Sequence, residues 1–164
     1  MCNFVRFQKQ KQMELISKQK IDHFLDCQSI GIAGASRDEK SFSGQVAKQL
    51  IKQGYNLWYV NPRFEPQEAQ AQRVQSIAQL PTHVNHLLVI TPKAQTESVV
   101  QQAIAQGIKN LWIQQFSDTP KSLELARQNN IDTVHHQCIF MFTEPEGIHK
   151  FHHRVKQLFG SLPK

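Results

Sequence analysis

The sequence predicts an α/β protein with a Rossmann-like, doubly wound and mainly parallel sheet that carries helices on both faces. Three observations lead to this class. Short apolar runs alternate with segments of helical periodicity, which is typical of βαβ units. Capping residues mark the helix starts, and the first strand ends in glycine. A chain of 164 residues has the length of a single domain.

The first half of the chain predicts two helices and two strands in alternation. Apolar residues recur at helical spacing over residues 14–25. Residues 29–35 (SIGIAGA) are a short apolar run that ends in a glycine-containing turn, which favours a buried strand. Residues 43–53 carry their apolar side chains on one face, and the glycine that follows is in the position that ends a helix. Residues 56–60 (NLWYV) form the second strand, which an Asn-Pro pair stops.

The second half continues the same alternation. Threonine followed by proline marks two helix starts, because threonine caps a helix and proline fits its first turn. The predicted elements are an edge strand near Arg73-Val74, a helical turn over Ile77-Ala78, a strand over 84–90, a helix from Pro92 to Gly107 capped by Thr91, a strand over 111–113, a helix opened by Pro120 and capped by Thr119, a strand over 131–134 and a helix over 147–159. We expect residues 1–28 to be a basic helical extension and residues 29–164 to form one domain.

The composition excludes several classes of protein. The longest apolar runs, such as residues 87–90, are too short to cross a bilayer, and residues 1–20 lack the apolar core of a signal peptide. Three cysteines (Cys2, Cys27 and Cys138) cannot form a disulfide framework. We therefore expect a cytoplasmic chain.

The charge indicates an anionic partner without naming one. The formal net charge is +6 at pH 7 and the pI is near 9.4. Basic residues crowd the N-terminus and the last predicted helix: Arg6, Lys9, Lys11, Lys18, Lys20, Lys150, Arg154 and Lys156. Because no nucleic-acid-binding motif accompanies them, solvated faces are favoured over a nucleic-acid interface.

The first strand-to-helix turn is a candidate phosphate site. Gly34 and the small residues after it would let a phosphate approach the backbone, and the start of the next helix, capped by Ser41 or Ser43, favours an anion. The candidate contacts in this turn are Gly34, Ala35, Ser36, Arg37, Lys40 and Ser43. The alternative is that the glycine only relieves backbone strain in a tight turn.

Two departures separate this turn from an NAD-binding motif. Its glycines do not form G-x-G-x-x-G, and the loop before the helix is longer than that motif allows. The second strand ends in Asn61-Pro62-Arg63, with no carboxylate for ribose hydroxyls. The cation at that position favours NADP or a 3′-phosphorylated nucleotide.

Five segments in order give the chain a family resemblance. They are GIAGAS followed by RDEKSF, then GYNLWYVNPR, a strand that ends Thr91-Pro92-Lys93, LWIQQF and VHHQCIFMF. Over roughly residues 29–142 the chain resembles the small coenzyme A (CoA)-binding proteins, single-domain relatives of the CoA-binding domain of the succinyl-CoA synthetase α subunit. The resemblance implies that CoA or an acyl-CoA is the cofactor.

The resemblance also implies a role for each matching position. Gly34, Ala35 and Ser36 would hold the pyrophosphate, flanked by the two cations of the turn. The ribose and its 3′-phosphate would lie against Asn61, Pro62 and Arg63, one wall of the pocket would be Thr91 and Pro92, and Gln114 would face the pantetheine arm. The family commonly has Pro-Gly where this chain has Gln115-Phe116, so a bulkier residue could narrow the pantetheine channel.

Cysteine and histidine residues offer two further hypotheses. Cys138 matches a family cysteine and could form a mixed disulfide with the CoA thiol, although a small buried side chain is the favoured interpretation. A metal site could use His149 and His153, which share a helix face, with His152, or the cluster of His135, His136 and Cys138. Adjacent strand residues should point to opposite faces and no acidic third ligand is evident, so we expect no metal.

The sequence thus predicts a protein that binds CoA or acyl-CoA through the first βα turn without catalysing a reaction itself, since no catalytic triad or carboxylate pair is visible. An NADP-dependent oxidoreductase is the first alternative, and a basic nucleic-acid-associated module is the second. The sequence leaves open whether the chain forms a homodimer.

Overall fold

The computed structural model describes residues 18–65 and 72–143. Within them, six strands form one all-parallel sheet in the order β3-β2-β1-β4-β5-β6, which confirms the predicted fold class. The strands are β1 (Ser29–Ala33), β2 (Asn56–Val60), β3 (Arg73–Val74), β4 (His86–Val89), β5 (Asn110–Gln114) and β6 (Asp132–Gln137). The order reverses between β1 and β4, so the topological switch point lies between their carboxyl ends.

Helices cover both faces of this sheet. They are α1 (residues 18–25), α2 (Phe42–Lys52), α3 (Lys93–Gln106), α4 (Pro120–Gln128) and the short α5 (Phe140–Thr143), with a 3-10 turn over Ile77–Gln79. Among the described residues, none of these helices has the length and apolarity needed to span a bilayer. Residues 14–17 and the predicted helix over 147–159 lie outside the described residues.

The core consists of two apolar layers, one on each face of the sheet. Side chains of α1, α2 and α5 pack on one face, where the Phe24 ring meets Trp112 edge to face at 5.5 Å. Side chains of α3 and α4 pack on the other face, with Val100 and Ala103 fully buried. Because Ile21 and Phe24 are also buried in the first layer, the described end of the N-terminal extension belongs to the core.

Helix ends match the prediction where the signal is local. The Thr119 side chain accepts a hydrogen bond from the Ser122 amide and caps α4, as expected. Ser41, one of the two serines predicted to cap α2, does so by accepting from the Gly44 amide. The predicted cap of α3 was wrong by one residue, because Pro92 rather than Thr91 is the cap residue.

The last strand differs most from its prediction. β6 runs to Gln137, three residues beyond the predicted end at residue 134. The β5–β6 pairing contains a register shift, and His136 has a left-handed backbone with φ of 57°. This irregularity turns both neighbouring imidazoles outward, with the rings of His135 and His136 4.6 Å apart. The expectation that these two side chains point to opposite faces was therefore wrong.

Candidate functional site

A cleft of about 330 Å³ opens at the carboxyl edge of the sheet, beside the switch point. Its floor comes from the ends of β1 and β2, and one wall is the first half of α3. The lining residues are Ala33, Gly34, Val60, Asn61, Pro62, Gln75, Ile77, Thr91, Ala94, Gln95, Ser98, Val99 and Gln102. An apolar floor with amide and hydroxyl groups around it suits a flat heteroaromatic ring with polar edges.

Gly34 brings the two loops of the switch point together. Its φ is +87°, and a Cβ built there would lie 2.5 Å from the Ile90 carbonyl oxygen. No other residue type fits without moving backbone, because the contact is with a carbonyl group rather than a flexible side chain. The glycine is therefore a structural requirement of the turn, whether or not a phosphate binds there.

The backbone amides of this turn already have acceptors within the protein. Both Gly34 and Ala35 donate to the Val60 carbonyl, at 3.0 and 3.3 Å. The Ser36 amide donates to Ser43 Oγ at 3.0 Å, so the buried Ser43 hydroxyl braces the turn instead of capping α2. An anion at the turn would have to displace these acceptors or be held by side-chain cations.

Asn61 connects the first strand-to-helix turn to the end of β2 through side-chain hydrogen bonds. Its side-chain nitrogen donates to the Ala35 carbonyl at 2.7 Å, and its side-chain oxygen accepts from the Arg63 amide at 2.9 Å. One residue therefore sets both the floor of the cleft and the direction of the corner that presents the exposed Pro62 and Arg63.

A basic cluster, defined here as Arg37, Arg63 and Arg73, surrounds this corner. Arg37 Nη2 donates to the Arg63 carbonyl at 2.6 Å. The guanidinium groups of Arg37 and Arg73 lie 5.4 and 5.7 Å from the centre of the buried Phe64 ring. The exposed Lys40 belongs to the same loop as Arg37. These cations would attract a phosphate at the mouth of the cleft.

The remaining predicted residues divide into two groups. Thr91 lines the cleft and is buried, with its Oγ1 3.2 Å from Thr96 Oγ1, whereas Pro92 is exposed at the start of α3. Gln114 is not brought to the cleft. It is buried in β5, and its Oε1 accepts from the Ile139 amide at 3.2 Å.

Cys138 and Phe116 lie beyond the cleft, near the carboxyl ends of β5 and β6. Cys138 is 6% exposed and packs in the core layer beside Ile139 and Phe140, an environment that favours a small apolar role. Phe116 has φ of 72° and is 55% exposed. The turn thus keeps the left-handed backbone that suits the glycine of the resembling family, and it presents a phenyl ring there.

Sequence reasoning missed Arg73 and the α3 side chains Gln95, Ser98 and Gln102. A signal existed for Arg73, since the edge strand was predicted and its partner β2 ends at the cleft. The α3 residues carry no motif and reach the cleft only through helix packing.

Metal binding finds little support in the part of the chain that the structure describes. There, no group of three or more His, Cys, Asp or Glu side chains is placed to hold an ion. His149, His152 and His153 lie outside the described residues.

Comparison with known proteins decides the family. The model of a family described as a CoA binding domain matches residues 28–144. The chain belongs to this CoA-binding family.

The fold is also similar to solved structures. A hypothetical protein from Pyrococcus horikoshii is 22% identical with a TM-score of 0.67, covering 75% of this chain and 86% of that one. A Thermus thermophilus protein is 25% identical with a TM-score of 0.68, covering 75% and 93%.

Proposed function

We propose that this CoA-binding chain holds CoA or an acyl-CoA with its adenine in the cleft and its phosphates beside the basic cluster. The observation that carries the proposal is the position of the cleft, at the switch point and directly beside Asn61 and Pro62. The ring would lie on Val60 and Ile77, and Gln95 and Ser98 would meet its polar edge.

The phosphates would be held mainly by side chains. Arg63 is exposed at the corner, and Arg37 is anchored beside it, so both can face a 3′-phosphate or the pyrophosphate. The backbone amides of the first turn would contribute less to phosphate binding, because they already donate hydrogen bonds to the Val60 carbonyl and to Ser43 Oγ. Binding is proposed without acyl transfer by this chain alone.

NADP is the second candidate, because a cation at the end of β2 would also fit a ribose 2′-phosphate. Titration calorimetry with CoA, dephospho-CoA, NADP and NAD at one salt concentration separates the two. We expect CoA to bind and, at a hundred times its dissociation constant, to stabilise the fold by about 2.7 kcal/mol. If NADP alone binds, NADP replaces CoA as the proposed ligand. If none of the four nucleotides binds, the proposal of a nucleotide site is overturned.

Substitution of Arg63 should change the preference between CoA and dephospho-CoA. We expect Arg63→Ala to weaken CoA about tenfold or more while leaving dephospho-CoA nearly unchanged, since a hydrogen bond to a charged group contributes about 1.5–3 kcal/mol. Lys52→Ala, at the other end of α2, is the matched control for the loss of one exposed positive charge. Equal weakening of both ligands would place the 3′-phosphate elsewhere.

A further inference from the structure

A carboxylate–imidazole pair stands at the carboxyl ends of β5 and β6, outside the cleft. His136 Nδ1 lies 3.0 Å from Asp118 Oδ2. The Asp118 side chain is 11% exposed and that of His136 is 63% exposed. The largely buried carboxylate thus faces Nδ1 at hydrogen-bonding distance, and Nε2 is the ring nitrogen that is left to accept a proton.

The backbone around this pair is held in uncommon conformations. His136 has φ of 57°, and the β5–β6 register shift lies in the same region. Phe116, two residues before Asp118, has φ of 72°. Irregularities of this kind re-aim side chains and persist where the surrounding structure enforces them, and they concentrate near functional sites.

The pair lies within reach of the far end of a bound CoA. Adjacent strands are about 4.8 Å apart, so the three intervals from β1 to β6 span about 14 Å. The pantetheine arm has about thirteen bonds, and an extended chain advances about 3.5 Å for every three bonds, which gives it a length of about 15 Å. With the pyrophosphate held by Arg37, which is in the loop after β1, an arm that runs along the sheet edge would end near β6.

Resting on the proposed function, we propose that His136 Nε2 accepts the thiol proton of bound CoA and that Asp118 positions the ring. The S–H bond breaks, an N–H bond forms, and a thiolate remains beside an imidazolium. The thiolate is the nucleophilic form of the cofactor. The chain would thereby prime the thiol for an electrophile that another protein or a small acyl donor supplies, without transferring the acyl group itself.

The charges around His136 come from three elements. Asp118 faces it from the β5–α4 loop at 3.0 Å, and the centre of the neighbouring His135 ring on β6 lies 4.6 Å from that of His136. Partial burial and then the neighbouring His136 lower the pKa of His135. Lys20 of α1 acts on His135 but is paired with Asp132 at 3.0 Å.

The test follows the pH dependence of alkylation of CoA by iodoacetamide, with the CoA product measured by mass spectrometry so that protein cysteines do not contribute. A free cysteine thiol has a pKa of about 8.5, and the alkylation midpoint of free CoA, measured in the same way, is the reference here. For CoA saturated with protein, we expect the midpoint to lie at least about one pH unit below that of free CoA. The midpoint is the readout because binding can slow alkylation at every pH.

His136→Asn should return the midpoint to that of free CoA. Asparagine is chosen because it tolerates the left-handed backbone at this position. Asp118→Asn should return the alkylation midpoint part of the way to that of free CoA. His135→Asn removes the neighbouring imidazole as a matched control and should leave the lowered midpoint unchanged. A shift that survives His136→Asn, or no shift in the unaltered protein, would overturn the inference while CoA binding stands. Failure of CoA to bind would instead be seen in the calorimetry and would remove both proposals.

Discussion

Gly34→Ala should lower the free energy of unfolding by about 2–5 kcal/mol, which combines the cost of a left-handed alanine with that of a backbone overlap. The added methyl group would lie 2.5 Å from the Ile90 oxygen and 2.8 Å from the Ile90 carbonyl carbon. Neither atom can rotate away, so β1 and the loop after β4 must move apart. Urea denaturation monitored by tryptophan fluorescence measures the loss.

The chain provides a control with the same backbone and different surroundings. Gly54 has φ of +92°, and a Cβ there would meet no atom within 4 Å. Gly54→Ala should therefore cost only about 1–2 kcal/mol, the price of the left-handed conformation alone. Equal losses for the two variants would show that the turn at Gly34 relaxes freely. Because of the overlap, loss of CoA binding in a Gly34 variant would not by itself locate the phosphate.

Ser98→Trp should abolish CoA binding without unfolding the protein. Ser98 is exposed on α3 and lines the cleft, so an indole at this position would occupy the space proposed for adenine. We expect the affinity for CoA to fall at least about a hundredfold, equivalent to about 2.7 kcal/mol. Stability should change by no more than about 0.5 kcal/mol, as is usual for exposed positions.

Gln101→Trp is the control on the same helix, since Gln101 is exposed and is not a lining residue of the cleft. It should bind CoA with unchanged affinity. Undiminished binding by Ser98→Trp would place the nucleotide outside the cleft, and loss of binding in both variants would indicate a general effect on α3. Calorimetry gives the affinities, and denaturant midpoints exclude unfolding as the cause.

Local signals account for the elements that the sequence predicted well. β2 has the predicted bounds, residues 56–60, because its apolar run is stopped by Asn-Pro, and Thr119 caps α4 through a bond that spans three residues. The sequence left the cap of α2 open between Ser41 and Ser43, because both serines lie within reach of the helix start. Only the long-range partner of Ser43, the Ser36 amide, separates their roles.

The candidate site likewise has features that the local sequence indicates and features that only long-range contacts decide. The residue types of the first turn and of the corner after β2 are enough to indicate an anionic nucleotide. Whether their amides are available depends on Val60, which pairs with β1 from a strand more than twenty residues away. The sequence likewise contains Asp118 and His136 without indicating that they meet, since their contact requires β5 and β6 to be neighbours with an irregular register.

The sequence by itself determined the order of strands and helices, the glycine and proline positions that end them, and the family to which the chain is similar. Hydrophobic periodicity and capping act over a few residues, so these features can be predicted from neighbouring positions. The tertiary structure alone decided that Gly34 is confined by a carbonyl group, that α3 supplies a wall of the cleft, and that a carboxylate lies beside an exposed imidazole. Each of these depends on atoms that the parallel sheet brings together from distant parts of the chain.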